Sequence, residues 1–283
     1  MLLAHGDAVP VDELWRAWSL QPVPVALALV AALLFAQGYV RLRRRSPAHA
    51  GRDRPVLFAL ALVAGVLPLV SPLDPLGDEY LLSMHMVEHV LIGDVAPALA
   101  MVALRGPLVF FFLPPALLRP LASLGWLRAA GAFLLRPVAA FSIWACVVAG
   151  WHVPVSYDFA LAHERVHDLE HLTFVIAGTL VWAVLADPAR RRALTEAGRI
   201  FYAWGLFVTG HLATHLILFD SKPHYAPYIA QDERLLGLTP LADQYWAGIA
   251  MTIEELLAFG ILTAILVRRI PRPETARSTE VAP

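Results

Sequence analysis

One cysteine, Cys146, and one lysine, Lys222, are all that the 283 residues hold of either type. A single thiol inside an apolar run excludes a disulfide framework and a thiolate metal cage. The scarcity of lysine beside 21 arginines reads as coding bias rather than function. Charge of both signs is thin: 16% of residues are charged, against about 25% in soluble domains. With 58% hydrophobic residues the chain reads as lipid-embedded. A net charge of −1 leaves no basic surplus for a polyanion, which argues against nucleic acid as a partner. Residues 1–21 carry Asp7, Asp12 and Glu13 and lack the basic leader of a signal peptide, so no cleavage is expected.

What the chain has instead is long apolar runs. Seven of them approach or exceed bilayer length: about 23–40, 55–73, 80–104, 137–154, 166–185, 200–219 and 241–267. The expected fold is an all-α membrane protein, one domain of seven transmembrane helices, with a polar, disordered tail over 268–283. Arg41-Leu42-Arg43-Arg44-Arg45 is expected to stop the first span, and Pro97 to kink the third. Asp74, Asp78 and Glu79 read as a short acidic loop, and 220–240 as a polar loop carrying Tyr225 and Tyr228. Residues 105–136 are not a clean span, because Pro114-Pro115, Arg119 and Arg128 interrupt them. An interfacial helical segment around 108–135 suits that mixture. Alternate connections collect the basic residues, 18 on one side and four on the other. The rich side is cytoplasmic, which places the N-terminus outside and the C-terminus in the cytoplasm.

On this map eight of the eleven histidines fall in one slab near the outer face. His85-Met86-Val87-Glu88-His89 places two imidazoles four residues apart, hence on one helical face. His167-Asp168-Leu169-Glu170-His171 repeats the pattern, and His211 and His215 repeat the spacing without the glutamate. His152 ends the fourth span. The candidate metal ligands are therefore His85, His89, His152, His167, His171, His211 and His215. Glu88, Glu170, His163, Met84 and Met86 stand beside them, and the glutamates could fix imidazole tautomers. Asp94, Glu254 and Glu255 lie deeper and could relay protons or take up those released when a metal binds. A single intramembrane histidine is usually an interhelical hydrogen bonder. Three pairs at one depth favour a functional site over that plain role. Imidazole suits Zn, Cu, Fe and Ni, and Met84, Met86 and Met251 lean toward Cu(I). Two other chemistries fit the same residues. His-x-x-Glu-His is also the pattern of zinc hydrolases in which Glu88 or Glu170 activates a bound water. Histidines on facing helices could also clamp a haem.

The motifs have company: Ala96-Pro97, Arg105-Gly106-Pro107, Trp151-His152-Val153-Pro154, Leu172-Thr173-Phe174 after the second histidine pair, and Asp243-Gln244-Tyr245-Trp246-Ala247-Gly248. In this order, over roughly residues 20 to 267, the chain resembles the bacterial cytochrome c oxidase assembly factors of the CtaG type, associated with caa-type oxidases. The resemblance implies a seven-span plasma-membrane protein needed to mature a heme–copper oxidase, not an enzyme. It implies copper as cargo, an apo cytochrome c oxidase subunit as recipient, and room for an extracytoplasmic copper donor. His85, His89, His152, His167 and His171 fall on the family's motif positions; His211 and His215 lie outside them.

Overall fold

A computed structural model describes residues 9–270, the side chains of 215–217 excepted. Among the described residues the structure is helical throughout, without a strand. The expectations for the tail beyond 270, for the first eight residues and for the His215 side chain lie outside the described residues.

Helix α1 (Pro22–Arg45) starts on a proline at its first turn, where no N–H is needed. The arginines do not stop it. Arg43, Arg44 and Arg45 form its last turn, where cations oppose the negative end of the helix dipole, and Ser46-Pro47 ends it. Only Phe35, Gly38 and Leu42 of its 24 residues are buried. Helix α2 (Asp53–Val70) follows, then α3 (Leu73–Glu79). The expected acidic loop is therefore helical, and it buries Asp78 and Glu79.

The next rod is the axis of the bundle. Helix α4 (Leu82–Val90) continues through a π-helical stretch (Leu91–Val95) into α5 (Ala96–Ala103). Pro97 has no N–H to give the carbonyl four residues before it, and its ring would crowd that carbonyl. The widened π turn absorbs the misfit, so the rod runs on through the proline. Short helices α6 (Leu108–Phe111), α7 (Pro115–Ser123) and α8 (Gly125–Leu134) come next. No residue of α7 or α8 is buried, and α8 turns by 72° into α9 (Pro137–His152). Gln37 of α1 holds the open carbonyls of Phe111 and Phe112, at 3.1 and 2.5 Å. Beside lipid such groups need a partner inside the protein.

Helix α10 (Pro154–Leu161) opens on another proline and leads into α11 (Glu164–Leu185), then α12 (Glu196–Leu218). The expected polar loop contains α13 (Ala226–Ala230), and it buries Tyr225 and Tyr228. Helix α14 (Pro240–Val267) closes the bundle, its first turn capped by Thr239, whose hydroxyl accepts from the Ala242 N–H. Five of these helical rods are long and apolar enough to cross a membrane: α1, α2, the rod Leu82–Ala103, α11 and α14. The bent pair of α8 and α9 makes up to six. The chain is a multi-pass helical membrane protein.

Glycine sets the position of α11. A Cβ on Gly178 would lie 1.7 Å from the Gly93 carbonyl oxygen, so the backbones of α11 and the π stretch touch. Small residues permit such close helix crossings where lipid supplies no hydrophobic drive. Gly77 serves α3 in the same way: a Cβ there would lie 2.9 Å from the His85 backbone.

Candidate metal centre

Two parallel helices present matching faces. His85 and His89 project from α4, and His167 and His171 from α11. One nitrogen of each lies within 4.8 Å of the others. Ring centroids are 5.3 Å apart for His85 and His167 and 5.1 Å for His89 and His171, so the helices run side by side in register. Along each helix successive rings are 4.2 Å apart. The glutamates cross over. Glu88 Oε1 lies 3.4 Å from His171 Nε2, and Glu170 Oε1 lies 3.9 Å from His89 Nε2. Each helix thus lends its carboxylate to the second histidine of the other, as a local twofold axis along the helices requires. His85 and Glu88 are fully buried, and Glu170, His167 and His89 nearly so.

Asp78 joins from α3. Its Oδ1 lies 2.9 Å from His85 Nδ1 and 3.6 Å from His167 Nε2. With its Nδ1–H donated to the carboxylate, neutral His85 carries its lone pair on Nε2, facing the cluster. No spacing pattern marks this role, because seven residues and a helix break separate Asp78 from His85. Above His85 stands Tyr157 of α10, ring centroids 5.2 Å apart. Tyr228 donates to the Gly77 carbonyl at 2.8 Å and is 2.7 Å from the Tyr157 hydroxyl, which must therefore be the donor of that bond. Burial pushes both phenols well above their ordinary pKa, so they stay neutral hydroxyls.

Among the described residues, His85 Nε2, both ring nitrogens of His89 and all four oxygens of Glu88 and Glu170 have no hydrogen-bond partner. Leaving such groups unmade costs about 1–3 kcal/mol each. A cation would engage the nitrogens and balance the carboxylates. Four imidazoles suit zinc or copper, so the residues fit a metal ion.

The remaining candidates lie elsewhere. Phe174 separates His152 from the cluster, its ring 4.7 Å from that of His89 and 6.3 Å from that of His152. His152 Nδ1 donates to the Val148 carbonyl at 2.8 Å. His211 on α12 lies 2.9 Å from the Phe207 carbonyl and 3.0 Å from Glu255 Oε2, away from the four. His163 is exposed and bonds the Phe159 carbonyl at 2.8 Å. Met84 packs with Leu14, Tyr80 and Leu81, and Met86 with Leu82, Tyr157 and Leu218. Asp94, Glu254 and Glu255 line a cavity of about 60 Å³ together with His89 and His152.

Motif residues that carry no metal chemistry brace the site. Asp243 of α14 accepts from the N–H groups of Leu82 and Ser83, at 2.6 and 3.2 Å, and so caps α4 from another helix. Gln244 accepts from the His224 N–H at 2.9 Å and donates to the Lys222 carbonyl at 3.1 Å, fastening the segment before α13. Trp151 donates to the Thr173 hydroxyl at 2.9 Å, tying α9 to α11 two residues past His171.

Fold and site together define a class: a multi-pass helical membrane protein with a buried four-histidine cluster that could hold a metal ion. The chain belongs to the cytochrome c oxidase caa3 assembly factor family, whose pattern it matches over residues 33–272. No curated protein and no solved structure matches it.

Proposed function

We propose that this assembly factor holds copper in the four-histidine centre and hands it to an apo cytochrome c oxidase subunit by ligand exchange. The observation that carries this reading is the convergence of His85, His89, His167 and His171 within 4.8 Å. An oxidase-assembly family makes copper the fitting cargo among the metals that imidazole favours. Glu88, Glu170 and Asp78 supply the negative charge that a cation needs in a low-dielectric site.

Topology belongs to the same proposal. Adding α9 and α12 to the five long rods gives seven spans in the plasma membrane of a bacterium. The 18-to-four asymmetry of basic residues then turns the connections after α1 and α11 to the cytoplasm and the N-terminus outward. Both histidine pairs sit in the first turns of their rods, near the outer face, where an extracytoplasmic donor would deliver the metal.

The zinc-hydrolase reading is weaker. Catalytic zinc keeps an open position, whereas four imidazoles close a tetrahedral site. Haem is weaker still, because four rings in mutual contact leave no slot for a macrocycle. The test is the metal content of the purified protein under copper-replete conditions. We expect the wild type to hold copper, and His85→Ala and His167→Ala each to hold about one copper per chain fewer than it, with no Soret band. Wild-type protein free of copper would overturn the proposal.

A further inference from the structure

Below the four-histidine cluster lies the cavity that His152 faces. It is about 60 Å³ and is lined by Met86, His89, His152, Met251, Asp94, Glu254 and Glu255 among others. Its lining is ordered along the bundle. Asp243 meets Leu82 and Glu254 faces Asp94, so α14 and the central rod run parallel and in register. Met251 therefore lies about one turn nearer the histidines than Glu254 does, and Met86 and His89 lie nearer than Asp94. Soft donors form the tier next to the cluster, and carboxyls form the tier beyond it.

His152 is the telling residue. It is 2% exposed, and its Nδ1–H is already given to Val148. In the neutral imidazole the lone pair is then on Nε2, which has no partner among the described residues, and the residue lines the cavity. Leaving a buried imidazole nitrogen without a partner is costly, and no hydrogen bond among the described residues satisfies this one. Two methionines also line the cavity, Met86 and Met251, and Met251 packs against the apolar cluster that contains Met86. Methionine is often only a filler. Two thioethers and a free imidazole nitrogen around one cavity form a donor set for a soft monovalent cation.

We propose that this cavity is a second metal station, separate from the four-histidine centre. His152, Met86 and Met251 are its ligands, and Asp94, Glu254 and Glu255 offset the charge. Its cargo is Cu(I), received from the centre above. This rests on the copper reading of that centre, and the experiment separates the two. Purified full-length protein is titrated anaerobically with Cu(I), then analysed for bound metal and by X-ray absorption. Wild type is expected to bind two ions, with sulfur in the average first shell. Met251→Leu with His152→Leu is expected to bind one ion with nitrogen and oxygen neighbours only. His85→Ala with His167→Ala is expected to keep the sulfur-bound ion. Met251→Leu alone, close to isosteric, should already reduce the sulfur signal if the doubly substituted protein does not fold. One ion without sulfur in the wild type would overturn the second station and leave the centre standing. No ion at all would overturn both.

Discussion

Asp78 decides how the centre presents a nitrogen. Its carboxylate fixes which ring nitrogen of His85 carries the proton, and it also lies close to His167. Partners of this kind are worth roughly 10–100-fold in metal affinity. Asp78→Ala is therefore expected to weaken copper binding by about that factor while leaving the stoichiometry unchanged, as measured by competition with a chromophoric chelator. Glu170 gives a second test. It lies 3.9 Å from His89, not at an open coordination position. Glu170→Gln keeps all four imidazoles but removes one balancing charge, so it should weaken copper binding without changing the stoichiometry. Peptide hydrolysis by the wild type, abolished by this substitution, would restore the hydrolase reading. The ligand pairs were legible from spacing alone, since residues four apart share a helical face. Asp78 was not, because α3 folds back onto α4 through Gly77, a contact that sequence distance does not announce.

Among the elements, the contact between α11 and the π stretch sets the distance between the two histidine pairs. Gly178→Ala places a methyl 1.7 Å from the Gly93 carbonyl, so α11 must move out. Overpacking costs about 1–3 kcal/mol, and here the same displacement separates the imidazoles. The expected outcome is a lower melting temperature in detergent together with loss of copper. Unchanged copper at a lowered melting temperature would show that the crossing does not position the site. The cap on α4 is an independent element. Asp243→Ala leaves the Leu82 and Ser83 amides without their buried acceptor, at a cost of about 1–3 kcal/mol. Metal should still bind to the folded fraction, which distinguishes a brace from a ligand. Propensity and hydropathy located the long rods. They missed α3 and α13, because each is stabilised by what it packs on rather than by its own length.

For the whole molecule, the distribution of arginine is a prediction about topology. A cytoplasmic reporter fused at residue 195 and an extracytoplasmic reporter fused at residue 230 should both be active, and the reciprocal fusions silent. The opposite pattern would invert the site relative to its donor. Composition alone determined that the chain enters a membrane, because so few charges and so many apolar residues cannot surround a soluble core. Helical periodicity alone determined that the histidines pair, a local property of 3.6 residues per turn. The tertiary structure decided which pairs meet. His85, His89, His167 and His171 converge, His211 turns to Glu255, and His152 stands behind Phe174 on a cavity that His89 also borders. The reason is rotational. Spacing fixes a face on each helix, but the direction of that face depends on how neighbouring helices seat, and here two glycines and one cross-helix cap set it.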